Sequence, residues 1–188
     1  MRKTIALAMT AATTAGLAAF VPAAANAACG TGPTDVCTGA TTVTATIGTV
    51  GLMSIAVTPT AALTGTTSPA TGSLGVTTVT DTNTGTHSWT VNIKSTDFSL
   101  VGATGTTIPA SNASVYMAAP TVAVPGTATV TSYPASTAKL ALSNTDQQLV
   151  AADAANANTV TYTPSMDLTF SGSDAAGVYT GTVTQTLS

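Results

Sequence analysis

Val160-Thr-Tyr-Thr-Pro-Ser-Met-Asp-Leu-Thr-Phe170 decides the fold class. Val160, Tyr162, Met166, Leu168 and Phe170 alternate with Thr161, Thr163, Ser165, Asp167 and Thr169. A period of two is that of a strand with one apolar and one wet face. Pro164 interrupts the row and has no N–H to give a ladder, so an edge position, a bulge or two short strands is expected there. The same alternation recurs outward from this stretch. Tyr179, Gly181, Val183, Gln185 and Leu187 stand against Thr180, Thr182, Thr184 and Thr186; Trp89, Val91 and Ile93 stand against Ser88, Thr90, Asn92 and Lys94. Val43, Ala45 and Ile47 alternate with Thr42, Thr44 and Thr46, and Met53, Ile55 and Val57 form a row after Gly51. Gly, Pro, Asn and Asp break the runs about every ten residues, the spacing of antiparallel strands joined by turns. The fold expected is all-β: an antiparallel sandwich of Greek-key, Ig-like or jelly-roll type. Gln147–Ala155, Ala-rich and preceded by Asn144 and Asp146 as caps, is the one stretch that reads as a turn or two of helix. Thr34–Thr46 and Thr58–Gly75, poor in large side chains, read as a flexible lead-in and a long loop.

Met1–Ala27 has the make-up of an export signal: Arg2 and Lys3, an apolar run through Phe20 and Val21, and the small-x-small site Ala25-Asn26-Ala27. The division expected is therefore a signal peptide at 1–27, a flexible segment with a disulfide at 28–41, and one sandwich domain at 42–188. No second apolar run of about 20 residues follows, so no membrane insertion is expected. Beyond the cleavage site two basic residues, Lys94 and Lys139, face seven acids, all Asp, for a net charge of about −5. Nucleic acid and anionic membrane surfaces are poor partners for such a chain, because both are bound through Lys and Arg. In an exported protein the two cysteines, Cys29 and Cys37, are expected to form one disulfide. Lipidation of Cys29 is the alternative, and Asn26 stands where a lipoprotein signal wants an aliphatic residue. Asp35 alone beside the cysteines does not make a metal site, and no cofactor is expected.

Residues able to do chemistry are few. His87 is the single histidine; a catalytic reading pairs it with Asp81 or Asp97 and a serine, but no G-x-S-x-G context exists, and a solvated strand-edge histidine is the commoner case. Seven scattered Asp residues without Glu give no acid pair for glycoside hydrolysis. Asp81, Asn83 and Asp97 are the residues that would gather calcium, although Asp and Asn also mark turns. Asn112-Ala113-Ser114 fits the N-glycosylation triplet in a sequence whose signal looks bacterial. Tyr116 and Tyr133 are candidate sugar contacts, or core-edge residues with a wet hydroxyl. Trp89 shares its parity with Val91 and Ile93 and is expected to be buried. The threonines suit half-wet pleated surfaces; no solenoid repeat or regular ice-binding ladder accompanies them.

Three segments together resemble the WxL family of Gram-positive surface proteins and its secreted actinobacterial relatives. They are Leu74-Gly-Val-Thr-Thr-Val-Thr-Asp81, then Ser88-Trp89-Thr90-Val91, similar to the proximal W-x-L element, and Tyr179-Thr-Gly-Thr-Val183-Thr-Gln185-Thr-Leu187, similar to the distal Y-x3-[LIV]-T-W-x-L element. Gln185 stands where the family has its second tryptophan. The resemblance, which spans Leu74 to Ser188, implies an exported β-sandwich associated non-covalently with the cell wall, through peptidoglycan or wall polysaccharide, or with other surface proteins. It points to Trp89, Tyr179, Gln185 and Leu187 as binding residues.

The function expected is thus that of a secreted, wall-associated, non-enzymatic interaction protein. Two alternatives stand beside it: a carbohydrate-binding module, and a subunit of a surface polymer that assembles by strand addition, with the Thr-rich terminal strand as donor or acceptor.

Overall fold

Short β-branched and hydroxyl-rich runs fold here as short strands. The computed structural model of the chain describes residues 37–47, 53–65, 67–123 and 126–188. The first half forms β1 (Cys37–Ile47), β2 (Met53–Val57), β3 (Thr60–Gly65), β4 (Ala70–Ser73), β5 (Thr77–Asp81), β6 (His87–Ser95), β7 (Phe98–Leu100) and β8 (Thr107–Ile108). The second half forms β9 (Ala113–Tyr116), β10 (Thr121–Ala123), β11 (Thr127–Ser132), β12 (Leu140–Ala141), β13 (Gln147–Asn156), β14 (Thr159–Tyr162), β15 (Ser165–Leu168) and β16 (Tyr179–Leu187). Among the described residues the only helix is one 3₁₀ turn, Ala110–Asn112, and none is long and apolar enough to cross a membrane.

The all-β sandwich read from the alternation is the fold observed. A twelve-stranded sheet runs β11-β13-β6-β16-β1-β3-β4-β15-β9-β12, with β7 and β8 attached beside β16. A four-stranded sheet runs β10-β14-β5-β2. Pairing is antiparallel among the described residues except between β1 and β16, which run parallel from Ala40↔Thr180 to Ile47↔Leu187. The large sheet is therefore mixed rather than purely antiparallel.

Registers show how the two sheets join. β14 pairs with β5 and β15 with β4, ending at Tyr162↔Thr77 and resuming at Ser165↔Ser73. β10 and β9 flank β14 and β15, pairing Thr121↔Thr161 and Tyr116↔Ser165; on the other side β2 and β3 flank β5 and β4, pairing Val57↔Thr77 and Thr64↔Thr71. Four paths of chain thus pass from the small sheet to the large one across a common crease. It crosses Pro59, Gly75, Pro120 and Pro164. Proline cannot extend a ladder, and at the crease the Leu74 N–H donates to Pro164 O at 2.7 Å instead. Of the outcomes expected at Pro164, two short strands is the one found.

Three expectations need correction. Gln147–Asn156 is strand β13, not helix, paired to both β6 and β11; two ladders outweigh the weak intrinsic preference of alanine for helix. Thr58–Gly75 is not a loop, since it holds β3 and β4. Small residues serve there because the strands approach closely: a Cβ on Gly72 would lie 2.3 Å from Ala62 O. Cys37–Thr41, assigned to the flexible segment, is already strand, paired with β3 from Cys37↔Gly65 to Thr42↔Thr60. The export signal at 1–27 and Cys29 lie outside the described residues, as does the side chain of Cys37, and the expected disulfide with them.

The core lies between the inward rows. Trp89, Val91 and Ile93 on β6 and Val183 and Leu187 on β16 meet Val79 on β5, Val160 and Tyr162 on β14, and Met166 and Leu168 on β15, all buried. Burying a side chain of this size stabilises by about 1.5–3 kcal/mol relative to leaving it exposed. Gly181 interrupts the β16 row for a steric reason, because a Cβ there would stand 2.6 Å from Phe98 Cδ1.

Candidate functional site

The four residues drawn from the motifs all face inward. Trp89 is 2 % exposed, Tyr179 8 %, Gln185 0 % and Leu187 0 %. Parity explains this: Tyr179, Val183, Gln185 and Leu187 share one face of a strand flanked on both sides. Gln185 is held across the core, with its Oε1 accepting from Tyr162 Oη at 2.9 Å and its Nε2 donating to Thr77 Oγ1 at 3.2 Å. The small sheet is thereby bonded to the large one through an amide and two hydroxyls. Burial pushes the Tyr162 phenol well above the ordinary tyrosine range, so it stays a neutral donor. Tyr179 donates to Ala175 O at 2.9 Å. Trp89 Nε1 is buried without a partner. Trp89, Gln185 and Leu187 do not reach the surface and, as placed, pack and lock the sandwich, whereas Tyr179 borders a cleft.

Polar residues gather at the end of β5. Asp81 is 2 % exposed and accepts from the Asn83 N–H at 2.9 Å and from Asn158 Nδ2 at 3.4 Å. Asn158, also buried, donates to Thr127 O at 3.1 Å. His87 Nε2 lies 3.1 Å from Asp81 Oδ2, without the alignment of a hydrogen bond, while Nδ1 lies 2.8 Å from Gly85 O. A neutral ring carries one proton; placed on Nδ1 to meet the carbonyl, it leaves Nε2 nothing to donate. The pairing of His87 with Asp81 is thus formed, but the described contacts supply no serine to complete a nucleophilic triad. Asp97 lies elsewhere, its Oδ1 accepting from the Ala110 N–H at 2.9 Å. The residues that would gather calcium are therefore split, and among the described residues no group of three His, Cys, Asp or Glu could hold a metal ion.

The two tyrosines named as sugar contacts differ in their surroundings. Tyr116 is half-buried beneath Lys139, whose Nζ sits 4.7 Å from the ring centroid and contacts Asp167 Oδ2. That hydrogen bond raises the Lys139 pKa. Tyr133 is exposed, and its neighbour Pro134 accepts from the Met117 N–H at 2.8 Å. A cleft of about 260 Å³ was not foreseen; Leu63, Ile108 and Leu168 form its floor, with Phe170, Tyr179 and the 171–177 loop around it. Inside that loop Asp174 Oδ2 accepts from the Ser171 N–H at 2.7 Å. Ser171-Gly-Ser-Asp-Ala-Ala-Gly177 has the composition of any turn-rich linker, and neither that nor Asn158 carries a sequence signal of a site.

Compared with protein-family models, curated proteins and solved structures, the chain matches none. The likeness to WxL proteins rests on the residues quoted for it.

Proposed function

We propose that the protein is an exported, non-enzymatic β-sandwich of the cell envelope that associates non-covalently with the wall or with other surface proteins. The observation that carries this reading is the distribution of polar chemistry. Asp81, Asn158, Asp167 and Gln185 are buried, while the outward rows present hydroxyls such as Thr60, Thr64, Thr71, Thr129 and Thr131. Such rows offer mostly hydroxyl hydrogen bonds with few charges among them, Asp153 opposite Thr129 being one, which suits polysaccharide or the main chain of a neighbouring protein. With Trp89 and Gln185 inside, contact falls to these outer rows and to the sheet edges. Export rests on the Met1–Ala27 signal.

Fractionation of producing cells into medium, wall and membrane tests the reading, together with retention on purified wall and on extracted surface proteins. Enrichment with the wall, released by mild denaturant and carrying an intact mass that begins at Ala28, is the expected result. Recovery in the medium alone, without retention on either material, overturns it. The cleft beside Phe170 favours a second reading, carbohydrate binding. On that reading Phe170→Ala abolishes retention by wall polysaccharide in a chain that still melts cooperatively, at a somewhat lower temperature because Phe170 also packs against the core.

A further inference from the structure

We propose that His87, Asp81 and Asn158 form a binding site for one divalent transition-metal ion of the zinc type, and that the ion closes the joint between the turns after β5 and β13. The inference goes beyond the reading above and does not depend on it. Nε2 of His87 and Oδ2 of Asp81 face each other at 3.1 Å without a hydrogen bond between them. With the ring proton on Nδ1, where Gly85 O receives it at 2.8 Å, both are lone-pair atoms, and two such atoms at that distance repel unless a positive species lies between them. A backbone carbonyl on the far nitrogen is also the arrangement that turns a histidine lone pair toward a metal. Two ligands held about 2.0–2.2 Å from one ion stand about 3.0–3.4 Å apart at right-angled to tetrahedral coordination, and the observed separation falls in that range.

Charge and a third donor support the ion. The Asp81 side chain is fully buried, and burying a carboxylate is costly unless a cation accompanies it. The lysines of the described residues are engaged elsewhere, Lys94 with Asp146 and Lys139 with Asp167. Asn158, 2 % exposed, reaches Asp81 Oδ2 through its Nδ2 at 3.4 Å, and its Oδ1 is buried and unpartnered. The two polar atoms of an amide are about 2.2 Å apart, so this oxygen lies beside the same carboxylate. The donors are thus one imidazole, one carboxylate and one amide oxygen, a set with only two members of the His, Cys, Asp and Glu class. Imidazole nitrogen suits zinc, copper, iron or nickel rather than calcium, which takes about 6–8 oxygens. Main-chain bonds fix the donors in place: the Asp81 N–H donates to Asn158 O at 2.9 Å and the Ala157 N–H to Asn83 O at 2.8 Å. The partly exposed ring of His87 is the side from which an ion enters and water completes its shell.

His87 is the single histidine of the chain, so isotope-labelled histidine observed by NMR reports on this site alone. The exported chain, with Cys29 and Cys37 replaced by serine to remove competing thiols, is stripped with a chelator and titrated with zinc chloride near neutral pH. One equivalent is expected to move the Nε2 resonance from its neutral-imidazole position to a coordinated one, leave the proton on Nδ1, and raise the melting temperature. His87→Gln, a change at a partly exposed ring, should bind zinc at least about tenfold more weakly and gain no thermal stability from it. An Nε2 resonance unmoved by millimolar zinc overturns the site. So does an Nε2 that carries its own proton in the titrated protein, the imidazolium then supplying the positive charge. Binding of equal strength by His87→Gln places the ion among other aspartates and overturns it too. Wall retention is measured separately, and its failure leaves the zinc result unaffected.

Discussion

The Gln185 network at the centre of the sandwich and the Asp81 cluster at the end of β5 bury polar groups in opposite ways. At the centre the groups are neutral, and both polar atoms of the amide are bonded, one to Tyr162 and one to Thr77. At the end a carboxylate is the hub, and His87 Nε2 and Asn158 Oδ1 have no hydrogen-bond partner. A satisfied neutral network holds two sheets in one register at little desolvation cost, whereas a partly satisfied ionic one is held only as long as its surroundings hold it. The difference separates a lock from a joint: the first fixes β16 against the small sheet, the second ties together the turns after β5 and β13 and the start of β11.

The largest expected effect lies between the two regions. Trp89 is on the strand that links them, and Trp89→Ala should cost about 3–5 kcal/mol, as large aromatic truncations in cores do; equilibrium denaturation measures it. A loss confined to wall retention, with stability intact, would contradict its burial. Gln185→Trp comes next. A tryptophan at this position puts a larger ring where no surface is exposed, and it strands the Tyr162 hydroxyl. We expect a loss of about 3 kcal/mol from overpacking and the unmade bond, and no gain in wall retention.

Asp81→Asn should cost about 2 kcal/mol, since an amide in place of the carboxylate weakens charge-assisted bonds and turns a donor toward Asn158. Hydrogen exchange should then speed up around residues 82–86 and 157–158 while the β16 amides stay protected. Equal acceleration of both would mean that the two regions open as one unit. Tyr162→Phe is the smallest change, about 1 kcal/mol for one hydrogen bond. Because the folded phenol holds its proton more tightly than the unfolded one, its contribution is complete below pH ~10 and declines as pH rises past the unfolded value. The parent should therefore lose stability above that pH more steeply than Tyr162→Phe, as thermal melts across the range will register.

Legibility followed the periodicity. The strand rows around Trp89, Val183 and Met166 were readable because alternation fixes which side chains share a face before any partner is known. Gln147–Asn156 was misjudged for the converse reason: alanine carries little periodic signal, and two neighbouring ladders decided its conformation. β3 and β4 were missed because Thr, Ala and Gly look like loop until the close approach at Gly72 is seen.

The sequence alone set the all-β class, the parity of Gln185 with Val183 and Leu187, and an interruption of the strand row at Pro164, since each follows from local stereochemistry. It also set the scarcity of charge. Tertiary structure alone decided that Pro59, Gly75, Pro120 and Pro164 fall on one crease, that β1 runs parallel to β16, and that Gln185 finds Tyr162 and Thr77 across the core. Those are matters of which strands become neighbours, which hydrogen bonding between distant segments selects and no local pattern encodes.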